Sequence, residues 1–126
     1  HPKELERLTG KCQDSYERLT KACELAHAAN VHIILKGAYS AIITPAGKCY
    51  FNPTGNPGMA TGGSGDVLSG IIGSLLAQGA SPINAAAAGV FLHGTIGDLA
   101  AEKLGKISML PTDMIDMIPT AYLKLM

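Results

Sequence analysis

The chain has 126 residues, 47% of them apolar and 16% charged, with ten basic and ten acidic side chains. That composition supplies a folded core and argues against disorder. The zero formal net charge leaves no field to attract nucleic acid or an anionic membrane.

No apolar run reaches the roughly 20 residues that span a bilayer. No basic segment followed by an apolar one opens the chain. Cys12, Cys23 and Cys49 are odd in number and show no CxxC or Cys/His zinc spacing. A disulfide framework or structural metal is therefore not expected, and a reducing, cytoplasmic compartment is. The start at His1-Pro2, without Met and directly into a helical pattern, reads as a piece of a longer protein.

Leu5 and Leu8, followed by Gly10, predict a short helix over residues 3–9. Asp14 or Ser15 caps a second helix whose apolar positions are Tyr16, Leu19, Cys23, Leu25 and Ala26, ending at Asn30. The β-branched run Val31 to Leu35 reads as a buried strand. A helix followed by such a strand is the repeat of a parallel α/β sheet. Residues 40–44 and 49–51, around Pro45-Ala46-Gly47-Lys48, predict a β-hairpin at a sheet edge. Residues 52–58 are a loop of turn formers.

Thr61-Gly62-Gly63-Ser64-Gly65-Asp66 then leads into a helix. Its apolar positions Val67, Leu68, Ile71, Ile72, Leu75 and Leu76 predict a buried stripe with Gly79 as stop. Gly70 and Gly73 are expected to admit another backbone. Ser81-Pro82 opens a long apolar helix running to about Leu104, with Gly105 beyond. One last helix begins at Leu110-Pro111-Thr112-Asp113 and presents Met114, Ile115, Ile118, Tyr122 and Leu123. Neither an internal repeat nor a linker divides the chain.

The glycine-rich helix start is the centre of the candidate chemistry. Glycines let backbone N–H groups turn toward a ligand, and the free N–H groups and dipole at a helix start favour an anion. Asp66 at that mouth is either a helix-terminal acid or a base facing a phosphate. Four small residues upstream suit a phosphate cradle more than a cap. The missing Lys after the last glycine argues against a Walker A loop. Lys36-Gly37 closes a strand, where open α/β sheets bind ligands. Lys36 reads either as a point charge for phosphate or as a solvated lysine. His93, on an apolar helix, reads first as a hydrogen-bonded structural histidine. No cysteine has a basic partner that would make it a nucleophile.

The segment GNPGMATGGSGDVLSGIIGSLLAQG, Gly55 to Gly79, resembles the signature of the NAD(P)H-hydrate dehydratases, within the ribokinase-like superfamily. His1-Pro2-Lys3-Glu4, Lys36-Gly37-Ala38-Tyr39-Ser40, Leu92-His93-Gly94 and Gly97-Asp98 resemble that family's pattern in its order. The superfamily's GxGD motif corresponds to Gly63-Ser64-Gly65-Asp66. Hydroxyethylthiazole kinases are similar but usually carry Cys at the position of Asp66.

The resemblance implies an α/β, ribokinase-like fold in which residues 1–126 form the C-terminal half: helix and strand, a hairpin, then helices packed on the sheet. It implies dehydration of hydrated NADH or NADPH, with ADP or ATP phosphorylating the ring hydroxyl before phosphate leaves. A stable-product kinase of the same superfamily and a non-catalytic nucleotide-binding module are the alternatives. Carried over, Asp66 is the catalytic base and contacts the hydrated nicotinamide. Gly62, Gly63, Ser64 and Gly65 hold nucleotide phosphate. Lys36, Gly37, Ala38, Tyr39 and Ser40 line the nucleotide site, and His1 contacts the hydrated dinucleotide. A magnesium ion suits such a transfer, although no acid cluster identifies its ligands and no metal residues are assigned. An exposed sheet edge and face are expected to promote homo-oligomers.

Overall fold

The computed structural model describes residues 1–126 and divides into two compact units, His1–Asn52 and Pro53–Met126. The first begins with α1, Pro2–Thr9, which ends at Gly10 with φ 87. Helix α2, Ser15–Ala29, is fixed at both ends by its own sequence. The Asp14 carboxylate accepts the N–H of Glu17 at 2.8 Å, and Asn30 takes the left-handed conformation at φ 54. Asn tolerates that conformation better than most residues, and there it frees the cap N–H to bond back onto the last turn.

Three short strands follow: β1 Ile33–Leu35, β2 Ala41–Ile43 and β3 Cys49–Phe51, in the order β1-β2-β3. Both pairings are antiparallel, with Ile34 opposite Ile42 and Ile42 opposite Tyr50. The parallel repeat expected from helix followed by strand is therefore not what these strands form. Direction is set by the partner, and the short β2–β3 turn permits only an antiparallel one. The hairpin stands where expected. Its turn closes through Thr44 N–H to the Lys48 carbonyl at 2.9 Å and Gly47 N–H to the Thr44 carbonyl at 3.0 Å. Gly47 sits at φ 86, the conformation only glycine adopts cheaply.

Strand β2 is central and buried along its length. Strand β1 is an edge strand, half-buried rather than buried, and Val31 lies before it, 43% exposed. The core of this unit is Leu5, Ala22, Ala26, Ala41 and Ile43, flanked by Leu19, Cys23 and Ile33. Ala22 and Ala26, one helical turn apart, leave α2 no side-chain bulk to hold it off the sheet. The fully buried Ile43 contributes about 1.5–3 kcal/mol by burial.

The second unit opens with a 3-10 turn, Pro57–Met59, followed by α3, Ser64–Ala77, and the 23-residue α4, Pro82–Leu104. The Ser81 hydroxyl accepts the N–H of Asn84 at 3.3 Å, Pro82 begins the helix and Gly105 closes it at φ 80. Helix α4 is the spine of the unit. Leu92, Ile96 and Ala100 meet Met109, Met114 and Ala121 in one core.

Two expectations change in this unit. The single last helix is two, α5 Pro111–Asp116 and α6 Ile118–Leu125. Pro119 cannot donate to the Ile115 carbonyl and its ring opposes a continuous helix there. The break turns Met114 and Ala121 inward while Ile115, Tyr122 and Leu123 are exposed. The α3 stripe is also less buried than its periodicity suggests. Leu68 is buried, Val67, Ile71, Ile72 and Leu75 are half-buried, and Leu76 is 44% exposed. Nothing approaches Gly70 or Gly73; the close contact with α4 is made at Gly89, where an added Cβ would strike Ile72.

Candidate functional site

The glycine-rich turn lies in the second unit, at the start of α3. Gly63 is the N-cap residue, at φ 97, and an added Cβ would come 3.2 Å from Cγ of Pro111. The positive φ favours glycine there, and the tight approach of Pro111 adds to that preference. Because a glycine occupies the cap, no side chain caps the helix. The N–H groups of Asp66 and Val67 bond to the Gly63 carbonyl, both at 3.1 Å, and Ser64 N–H bonds to the Thr61 carbonyl at 3.3 Å. The N–H groups of Gly62, Gly63 and Gly65 take no partner within the chain. Gly62 and Gly63 are exposed, and Gly65 is half-buried.

Asp66 is exposed in the first turn of α3, and its carboxylate makes no hydrogen bond or ion pair. It is not the cap of its helix. Three open N–H donors and one unengaged carboxylate therefore share a single turn. Such a turn receives an anion through N–H groups and dipole while holding a proton acceptor nearby.

Side chains of α4 fix this turn and the loop before it. Ser64 is buried, and Nε2 of His93 lies 2.9 Å from its carbonyl oxygen and 3.3 Å from its hydroxyl. The structural role expected for His93 thus has a specific content: it anchors the first residue of α3. Five residues on, the Asp98 carboxylate accepts the N–H of Gly55 at 2.9 Å and the side-chain amide of Asn56 at 2.9 Å. The Asn56 side chain in turn accepts Gly58 N–H at 3.0 Å, and the Thr54 hydroxyl donates to the Phe91 carbonyl at 3.2 Å. Gly94 and Gly97 are the surfaces on which the loop rests. An added Cβ at Gly94 would strike Thr54, its backbone included, and one at Gly97 would strike the Met59 side chain.

Asp98, Asn56 and Thr54 were not legible as loop-fixing residues. Their partners lie about 40 positions away, and no local spacing marks them. The only available signal was the density of turn-forming residues over 52–58, which requires something to hold it.

The Lys36 segment lies in the first unit. Lys36, Gly37, Ala38 and Tyr39 line an open groove of about 480 Å³ together with Ser15, Arg18 and Phe51. Ser40 does not line it; its carbonyl accepts Asn52 N–H at 2.9 Å. His1 borders a different, mostly apolar depression with Glu4, Leu5 and Leu8. Its Nδ1 accepts Lys3 N–H at 3.3 Å, and its ammonium lies 3.0 Å from Glu4. Glu4 is held below the usual carboxylate range, first by its bond to that ammonium. No three His, Cys, Asp or Glu side chains are grouped to hold a metal ion, and all three cysteines are free thiols. No helix is long and apolar enough to cross a membrane.

The fold is that of the ribokinase-like class. A ribokinase-like superfamily protein of Enterococcus faecalis superposes with a TM-score of 0.79 at 37% identity, over 99% of this chain and 42% of its own. The NAD(P)H-hydrate dehydratase family model matches residues 1–120, and the chain belongs to that family.

The bifunctional NAD(P)H-hydrate repair enzyme of Moorella thermoacetica is 48% identical over 123 residues, which cover 94% of this chain and 23% of that enzyme. The ADP-dependent (S)-NAD(P)H-hydrate dehydratase of Bacillus subtilis is 34% identical over 97% of this chain and 45% of its own length. The crystal structure of the ADP/ATP-dependent NAD(P)H-hydrate dehydratase of Bacillus subtilis, co-crystallised with ATP/Mg2+, superposes with a TM-score of 0.92 at 33% identity, over 100% of this chain and 46% of its own. The chain thus spans between about a quarter and a half of the length of these relatives.

Proposed function

We propose that this chain takes part in the nucleotide-dependent dehydration of hydrated NADH or NADPH. The observation that carries the reading is the glycine turn leading into α3, where three unpartnered N–H groups and the exposed, unengaged Asp66 carboxylate lie close in sequence. Phosphoryl transfer asks mainly for positioning and for stabilisation of phosphate charge, and open N–H groups at a helix start supply both.

Asp66 takes the proton of the ring hydroxyl as that oxygen attacks the terminal phosphorus of ADP or ATP, and the shortened nucleotide departs. The phosphorylated carbon then loses phosphate, and the neighbouring C–H loses its proton to restore the ring double bond. Gly62, Gly63, Ser64 and Gly65 hold the phosphates. Lys36, Gly37, Ala38, Tyr39 and Ser40 line the nucleotide site, with Lys36 as a point charge for phosphate. His1 contacts the hydrated dinucleotide. A magnesium ion on the nucleotide phosphates would offset their charge during the transfer. The exposed Leu8 supports self-association into homo-oligomers.

The test is the conversion of hydrated NADH by the chain with ADP or ATP, followed by NADH absorbance and phosphate release. Asp66→Ala is expected to lower turnover by about 10²–10⁴-fold, the range of a lost general base, while nucleotide still binds. Normal turnover by Asp66→Ala removes Asp66 as base. A stable phosphorylated product favours a ribokinase-like kinase. Nucleotide binding by the unchanged chain without turnover leaves a binding module.

A further inference from the structure

The groove beside Lys36 contains a second cation that the sequence did not single out. Arg18, in the second turn of α2, lines it together with Lys36, Ser15 and the Gly37 backbone; Tyr39 and Phe51 complete the wall. No acidic residue lines this groove. Arg18 makes no hydrogen bond or ion pair, and its Nε is shut off from solvent without a partner.

The acids of the same helix are occupied elsewhere. The Asp14 carboxylate caps Glu17 N–H, while Glu17 bonds Gln13 N–H at 2.6 Å and Lys21 at 3.3 Å. Those two bonds hold Glu17 below the usual carboxylate range. The remaining acid that feels Lys36 is the exposed Glu4, whose direct partner is the N-terminal ammonium. Helix α2 thus brings Arg18 to the groove that Lys36 lines, with no carboxylate in that lining to neutralise it.

A buried guanidinium nitrogen without a partner costs free energy in the ligand-free chain. A planar guanidinium beside an ammonium, in a groove with no negative charge, suits the oxygens of a phosphate chain. We infer that Arg18 is a second phosphate-binding cation of this groove and that it and Lys36 together engage the phosphate chain of a nucleoside di- or triphosphate. The inference rests on the proposed nucleotide role of the Lys36 segment and adds a residue from a different element to it.

Equilibrium binding of ADP, inorganic tripolyphosphate and adenosine to the full chain tests this, with Arg18→Gln and Lys36→Gln compared at low and raised salt. Arg18→Gln is expected to weaken ADP and tripolyphosphate by about tenfold or more, the size of a lost charged hydrogen bond. It should flatten the salt dependence of both and leave adenosine unchanged. The ligand-free melting temperature of Arg18→Gln should be no lower than that of the unchanged chain, because no native hydrogen bond or ion pair is lost and a buried unpartnered nitrogen is removed.

ADP affinity unchanged in Arg18→Gln but lost in Lys36→Gln overturns the role of Arg18 and leaves the nucleotide reading standing. ADP affinity unchanged in both variants, or absent from the unchanged chain, overturns the nucleotide role of the groove itself. A lowered melting temperature in Arg18→Gln, with binding unaltered, makes Arg18 a structural residue and overturns the inference as well.

Discussion

The two loops that carry the candidate chemistry are held in opposite ways. The loop over residues 53–63 is fixed by long-range side-chain contacts. Asp98 takes two of its donors, His93 anchors the residue that follows it, and Gly94 and Gly97 are flattened to receive it. The segment over residues 36–40 is held mainly by its ends, running from β1 into β2, and an added Cβ at Gly37 would meet only the Tyr39 carbonyl, at 4.0 Å. One loop is pre-organised before any ligand arrives; the other has room to adjust. Pre-organised donors are what stabilise developing charge, because no reorganisation is needed at the moment of reaction.

The largest effect should come from breaking the pre-organised loop at its tightest point. Gly94→Ala places a methyl group against the Thr54 backbone. It is expected to cost about 1–3 kcal/mol, read as a lowered midpoint in denaturant unfolding with an unchanged slope. An unaltered midpoint would mean that the loop moves freely.

Asp98→Ala should cost about 1 kcal/mol, since the released donors, Gly55 N–H and the Asn56 amide, lie where water reaches them. Hydrogen exchange at Gly55 should accelerate in this variant, and the β-sheet amides should keep their rates.

A smaller effect belongs to the first unit. Burial raises the Cys49 thiol above its ordinary range, with Cys23 adding to the shift. A raised pKa means that the folded state keeps a proton the unfolded chain gives up. Stability is therefore full below about pH 9 and falls as pH rises beyond it. Thermal midpoints should decline in that window for the unchanged chain and decline less for Cys49→Ala. Gly37→Ala should be smallest of all, within about 0.5 kcal/mol, and a larger loss would show the Lys36 segment to be as tightly held as its counterpart.

What the sequence made legible follows the range of each interaction. Helix ends were readable because their causes lie within four residues: Asp14 and Asn30 on α2, Ser81-Pro82 and Gly105 on α4. The glycine-rich helix start was readable for the same reason, and its family signature located the candidate site. Strand direction was not, since β1 and β2 pair through a partner that no window around β1 contains. Gly70 and Gly73 looked like packing glycines and face open space, while Gly89, Gly94 and Gly97 do the packing. A missing Cβ has meaning only once its neighbour is known. Pro119 divides the last helix in two, a break that the apolar periodicity from Met114 to Leu123 does not reveal.

The central claim is that the glycine turn leading into α3 holds nucleotide phosphate through backbone N–H groups. An amide-resolved NMR titration of the chain with ADP addresses it most directly. The claim predicts that the amides of Gly62, Gly63 and Gly65 shift together and become protected from exchange, in the unchanged chain and in Asp66→Ala alike. Saturation of the chain by ADP with those three amides unmoved would contradict it.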